Sequence, residues 1–454
     1  MVTVTGGNNA TASGGGVHVN NGIDTLSGEI SSNSVFADSY KSNATASGGG
    51  AYVVDDLESI SGQINGNSAA AVSITGKAYA IGGGLGANSI TALSGVVNNN
   101  KAIATDDLSY VEDGIIIEGG DNSVITSNVG DVYAAGGGAY VNSLANLDGE
   151  VSSNTVIATV NMGYARAYGG GVFAESVIDK LSGKLNGNTV KAASDGVSVY
   201  AAGGGIKAGS IDTLAGEVSG NTVIAESNSA IVQARGAGVV VDNAINNLSG
   251  KVIGNVASAA SHNGYIYAYG GGINGDIESL SGEISGNAVI ATNKAGYWAE
   301  ACGGGLYSNN IDTISGPISD NGAVAVNESG NLATAHGGGV YVYNIANLSG
   351  ELSGNTAAAI SDSGNVEAFG GGGYLEYRID ALLGRVIDNT VFAKSNTGEA
   401  LAYGGGIEAW GGIDILAGQV SGNTALAVSG TGYAEADGGG LDANSINILS
   451  GDIA

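Results

Sequence analysis

Residues 201–225 read AAGGGIKAGSIDTLAGEVSGNTVIA, and this pattern returns along the whole chain. A GGG triplet begins at Gly14, Gly48, Gly82, Gly136, Gly169, Gly203, Gly270, Gly303, Gly337, Gly370, Gly404 and Gly438, with Gly236-Ala237-Gly238 as a degenerate copy. From Gly136 onward every spacing is 33 or 34 residues. Ala stands two residues before each triplet, from Ala12 and Ala46 to Ala402 and Ala436. Downstream comes an I-x-x-L-x-G-x-aliphatic element, here Ile211, Leu214, Gly216 and Val218. Three residues after its last aliphatic is Asn: Asn33, Asn67, Asn100, Asn154, Asn188, Asn221, Asn255, Asn287, Asn321, Asn355, Asn389 and Asn423.

Within each repeat the local period is two. Ala333, Ala335, Val340 and Val342 alternate with Thr334, His336 and Tyr341, the signature of strands with one face buried. No period of 3.6 competes. Three short strands per repeat are expected, and no repeat can bury its apolar face alone. Stacking joins equivalent strands into parallel sheets around one elongated core. The predicted fold is therefore all-β: a single-stranded parallel β-helix of about 13 coils, one domain over residues 1–454. With coils about 4.8 Å apart, the rod is roughly 60 Å long.

The glycines need a reason, since each costs roughly 1 kcal/mol of backbone entropy against Ala. A corner with positive φ, or a close approach of backbones, supplies one. The Asn column reads as an inward ladder of stacked amides, hydrogen-bonded from coil to coil. A leucine-rich repeat is the rival solenoid for strings such as Leu348-Ser349-Gly350-Glu351-Leu352, but its period of 20–29 residues is too short.

Composition narrows the function classes. With 82 Gly, one Pro and 43% hydrophobic residues, the chain is neither disordered nor collagen-like. A net charge of -28 repels nucleic acid and anionic membrane surfaces, so neither is expected as a partner. Cys302 is the only cysteine, which excludes an intrachain disulfide. Met1-Val2-Thr3-Val4-Thr5 has no basic or apolar leader pattern, so no signal peptide is expected, and no apolar run is long enough for direct membrane insertion.

The G-G-G-aliphatic motif (Gly270-Gly271-Gly272-Ile273) and the aliphatic-x-x-N motif (Ile284-Ser285-Gly286-Asn287) resemble the repeats of polymorphic outer-membrane proteins and related autotransporter passenger domains. Gly stands here for that family's third-position Ala, and an aliphatic residue for its Phe. The resemblance implies a right-handed β-helix displayed extracellularly on a bacterial cell surface, often acting in adhesion.

Candidate chemistry is sparse. His18, His262 and His336 fall far apart, and all three are expected to be solvated surface residues. The triplets lack a following Lys-Ser/Thr and are not phosphate cradles. A non-enzymatic adhesin or scaffold is the leading expectation. Its ligand surface is a Tyr-rich stripe on either side of the triplet: Tyr52, Tyr140, Tyr307, Tyr341 and Tyr374 after it, Tyr269 and Tyr403 before it. Tyr gives contact area and a hydroxyl at low entropic cost, which suits a host or neighbouring-cell glycan or protein. The plainer role is cross-coil stacking. The alternative is a polysaccharide-active enzyme using a C-terminal acidic cluster of Glu367, Glu408, Glu435, Asp437 and Asp442. Glu408, Glu435, Asp437 and Asp442 are also the candidate metal ligands, with calcium the cation such carboxylates favour. An insertion over residues 106–133 reads either as a loop or as a shortened coil. The two chain ends are nearly in phase with the repeat, which raises head-to-tail self-association into a fibre or matrix subunit as a third reading.

Overall fold

The computed structural model describes residues 1–106 and 130–454. Every sheet is parallel and runs the length of the rod. Thr222–Ser227, Ile231–Arg235, Val239–Leu248 and Lys251–Ile253 make one complete coil. Each joins a different sheet, in which its neighbours are the equivalent strands one coil before and one coil after. The chain is a β-solenoid with 13 strands stacked in the first, second and fourth of these sheets.

Four strands per coil replace the three expected. The I-x-x-L-x-G-x-aliphatic element does not stay one strand, because the chain bends at its glycine. A Cβ on Gly216 would stand 2.1 Å from the carbonyl oxygen of Gly183 in the preceding coil. Only a bare Cα allows backbones to stack so closely there. The strand ending at Leu214 therefore stops, and Glu217–Ser219 begins a fourth sheet.

The interior is divided in two. One lobe, between the third and fourth sheets, holds Ile206, Ile211, Leu214, Val218 and their equivalents. The other, between the first and second sheets, holds Val223, Ala225, Val232, Ala234 and theirs. The triplet and the Asn ladder form the waist between them. Gly203 has φ +67°, the left-handed conformation that turns the corner. A Cβ on Gly204 would meet the Ala237 oxygen at 2.4 Å and the Thr222 oxygen at 2.9 Å. One on Gly205 would meet the Gly238 oxygen at 2.6 Å and Asn221 Nδ2 at 3.1 Å. Corner geometry and close approach are both at work, at successive glycines.

The amide ladder runs as expected, buried at the waist. Asn221 donates from its backbone N–H to Asn255 Oδ1 at 3.0 Å and from Nδ2 to the same oxygen at 2.9 Å. Its Nδ2 also donates back to the Leu185 carbonyl at 3.2 Å. The buried amide is thus satisfied on both sides, which is the condition for a polar column in an apolar core. Asn100 donates to Asn154 in the same way across the insertion.

Residues 107–129, on which the reading as a loop or a shortened coil falls, lie outside the described residues. Its flanks keep register: Lys101–Thr105 pairs with the strands on both sides of it, and Val132–Ala135 does likewise in the second sheet.

Candidate ligand-binding groove

Outward positions on either side of a convex corner diverge. Here they converge. Tyr269, the residue before its triplet, lies 4.8 Å from Tyr307, the outward residue after the next one. Phe369 lies 5.8 Å from Tyr374 across a single corner, and Tyr168 lies 6.0 Å from Phe173. The exterior of the glycine corner is therefore a groove between the second and third sheets.

Aromatic rings line its floor from Tyr140 to Tyr403, interrupted at one coil, where Arg235 stands in the column of Tyr269. Tyr140 stacks on Phe173 at 5.1 Å, and Tyr168 continues to Tyr200 at 5.4 Å. The Arg235 guanidinium bridges Tyr200 at 5.3 Å and Tyr269 at 5.4 Å, a cation–π link between two ring clusters. Tyr307, Tyr341 and Tyr374 are register partners on consecutive coils, with rings 4.7 and 5.2 Å apart. Phe369 stacks on Tyr403 at 5.5 Å. Of the seven tyrosines singled out from sequence, six lie on this path. Tyr52 does not: Gly86 occupies the register position between it and Tyr140, and Tyr52 faces His18 instead.

Burial keeps the phenols protonated. It pushes Tyr307 and Tyr168 up to about 12, and raises Tyr269 and Tyr341 further. Tyr140 donates to Glu175 and Tyr341 to Glu376, while Tyr269 donates to Glu300 at 3.4 Å. The floor thus presents ring edges and phenol–carboxylate pairs.

His336 is not a solvated surface histidine. It stacks on Phe369 at 5.0 Å and meets Tyr374 edge-on at 4.7 Å, and its Nδ1 is buried without a partner. Burial pushes its pKa down to about 4. Its register neighbour Cys302 is fully buried, although it occupies an outward column. Burial and then Glu300 raise that thiol well above its ordinary value. A neutral thiol beside a neutral imidazole is not an activated nucleophile. His18 and His262 are exposed, as expected.

The acidic cluster divides. Glu408 and Asp442 are register partners, in the column that holds Tyr374 one coil earlier. Glu435 and Asp437 lie on the other flank of the corner, Asp437 fully exposed to solvent influence and its pKa raised first by desolvation and then by Glu435. Among the described residues, no group of three or more His, Cys, Asp or Glu side chains is placed to hold a metal ion. The four candidate metal ligands are not gathered into one shell.

Glu408 is the outlier. It is 7% exposed, and its Oε2 is buried with no hydrogen-bond partner. Burial, reinforced by Asp442, pushes its pKa up to about 8 against an opposing hydrogen bond from Trp410. It lines an open cavity of about 460 Å³ together with Glu367, Phe369, Tyr403, Trp410, Asp442 and Asn444. Trp410, 56% exposed, was not singled out from the sequence. A second depression of about 460 Å³ runs along the turns past Asn161, Asp195, Asn228 and His262, and no Tyr, Trp or Phe lines it.

Comparison with protein-family models, curated proteins and solved structures returns no match for this chain.

Proposed function

We propose that this chain is a non-enzymatic extracellular binding scaffold, and that the aromatic groove at the glycine corner is its ligand surface. One observation carries the reading: the ring path from Tyr140 to Tyr403 follows the rod axis, carried across its one ringless coil by Arg235. A row of rings at a repeat of about 4.8 Å, half-buried except for the buried Phe369 and Tyr374, suits an extended polymer lying along the groove. Glycan is the ligand class this surface favours, because it offers hydroxyls to the phenol–carboxylate pairs and apolar C–H groups to the ring edges between them. The resemblance of the repeats to autotransporter passenger domains supports display on a bacterial surface and a role in adhesion.

A glycan array probed with the full chain tests this. Binding is expected for at least one linear polysaccharide, and it should be lost in the Tyr307→Ala/Tyr341→Ala double variant. An array with no binder, or one on which that variant binds as well as the parent, counts against the groove.

A polysaccharide-active enzyme is the second reading, favoured by a neutral Glu408 beside Asp442. A carboxyl held protonated beside a second carboxyl group is the arrangement of acid catalysis at a glycosidic bond. Release of reducing ends from neutral or acidic polysaccharide, abolished by Glu408→Gln or Glu435→Gln, would establish it over the binding scaffold.

A further inference from the structure

We infer that the cavity around Glu408 is a terminal subsite of the groove that holds one uncharged saccharide unit, with Trp410 and Tyr403 as stacking surfaces and Glu408 as a hydrogen-bond donor. This rests on the groove being the ligand surface and adds where the ligand is gripped and what charge it carries.

Three features of the cavity converge on that ligand. The first is the ring set. Tyr403, backed by the buried Phe369 at 5.5 Å, and Trp410, 56% exposed, both line it. Exposed indole is costly to leave in water and is a common anchor at binding surfaces. The Asn444 side chain donates to the Trp410 carbonyl, which fixes the segment that carries the indole.

The second is the unpartnered oxygen. Buried carboxyl atoms are normally hydrogen-bonded, and Glu408 Oε2 has no protein partner. A ligand group in the cavity would complete it. Below about pH 8 the Glu408 carboxyl is protonated, held so by burial and by Asp442, with which it shares a hydrogen bond; turned into the cavity, the same proton donates to a hydroxyl or ring oxygen.

The third is charge. No Lys or Arg lines the cavity, and Glu367 and Asp442 do. An anionic sugar would meet uncompensated repulsion. The ionisable groups facing Glu408 are Asp442 on the following coil, Tyr374 on the preceding one, and Glu367 and Tyr403 across the corner. Tyr403 is pushed up to about 12 and stays neutral. The titration that matters between neutral and alkaline pH is then that of Glu408.

The test is calorimetric titration of the full chain with linear oligosaccharides of glucose, galactose, mannose and xylose, and with oligogalacturonate as the charged probe. A neutral probe is expected to bind and oligogalacturonate to fail. Trp410→Ala should weaken binding by about tenfold or more. Raising the pH from about 6 to about 10 should weaken wild-type binding by about tenfold, because Glu408 then ionises, whereas Glu408→Gln should bind alike at both. Preferential binding of oligogalacturonate, or binding that is indifferent to Trp410→Ala, overturns the inference. If Tyr307→Ala/Tyr341→Ala abolishes binding while Trp410→Ala and the rise to pH 10 leave it unchanged, the groove stands and the subsite falls. If no probe binds at millimolar concentration, both fall. Thermal melts of each variant separate lost binding from lost fold.

Discussion

The two lobes of the coil are built on opposite principles. One is filled by Leu, Ile and Val from the third and fourth sheets, the other by Ala and Val from the first and second. Between them lies a waist of glycine backbone and asparagine amide, too narrow for any side chain bulkier than the ones it holds. The large lobe stabilises through area. The small lobe stabilises through closeness, since alanine faces let two sheets approach and pull the corner inward. That inward corner is what makes the outside concave and brings the rings together. The residues that shape the groove are therefore buried ones that no ligand touches.

Substitutions that exchange the two principles should break this contrast in graded steps. Leu248→Ala, in the middle of the large lobe, is expected to cost most, about 3–5 kcal/mol, through lost transfer energy and an unfilled cavity. Asn255→Ala at the waist should follow at about 2–4 kcal/mol, because it strands the Asn221 backbone N–H and Nδ2 that now share one acceptor. Ala268→Val in the small lobe, though it adds apolar area, is expected to destabilise by about 1–3 kcal/mol through overpacking. It should also disturb the groove that lies over it. Denaturant melts of the three variants give the ranking, and Ala268→Val stabilising the fold would show that the small lobe is not close-packed.

The smallest expected effect lies on the outer side of the waist. His336 has its pKa lowered from 6.5 to about 4 by burial, so the unfolded chain binds more protons between those values. Its contribution to stability is complete above about pH 6.5 and is lost as pH falls through about 4. After allowing for its partial exposure the term is about 1–2 kcal/mol. His336→Phe should flatten the stability profile over that window and leave it unchanged above it. An unaltered acid slope would mean the imidazole is solvated after all.

Much of this was legible from spacing. The triplets, the Asn column and the alternation around Val340 and Val342 dictate coils, strands and an inward amide ladder, because each is a local constraint repeated in register. The fourth sheet was not legible. Gly216 inside I-x-x-L-x-G looks like an ordinary glycine until a stacked neighbour places a carbonyl 2.1 Å from its missing Cβ. The convergence of Tyr269 on Tyr307 was hidden for a related reason: alternation says which residues point outward, and says nothing of whether outward faces diverge or meet. The same ignorance of corner shape left His336 reading as solvated. A signal was present in the pairing of aromatics on both flanks, as in Phe369 with Tyr374. Glu408 could be picked out as acidic, with Trp410 two residues on, but its burial and the stacking of Asp442 beside it depend on the fold.

The groove itself can be tested by hydroxyl-radical footprinting of the tyrosines, with and without a polysaccharide that the chain retains. Protection is expected at Tyr307, Tyr341 and Tyr403, with Tyr40 and Tyr297, exposed in turns away from the corner, unchanged. Protection of Tyr40 or Tyr297 with the corner tyrosines unaffected would contradict the assignment of ligand binding to the glycine corner.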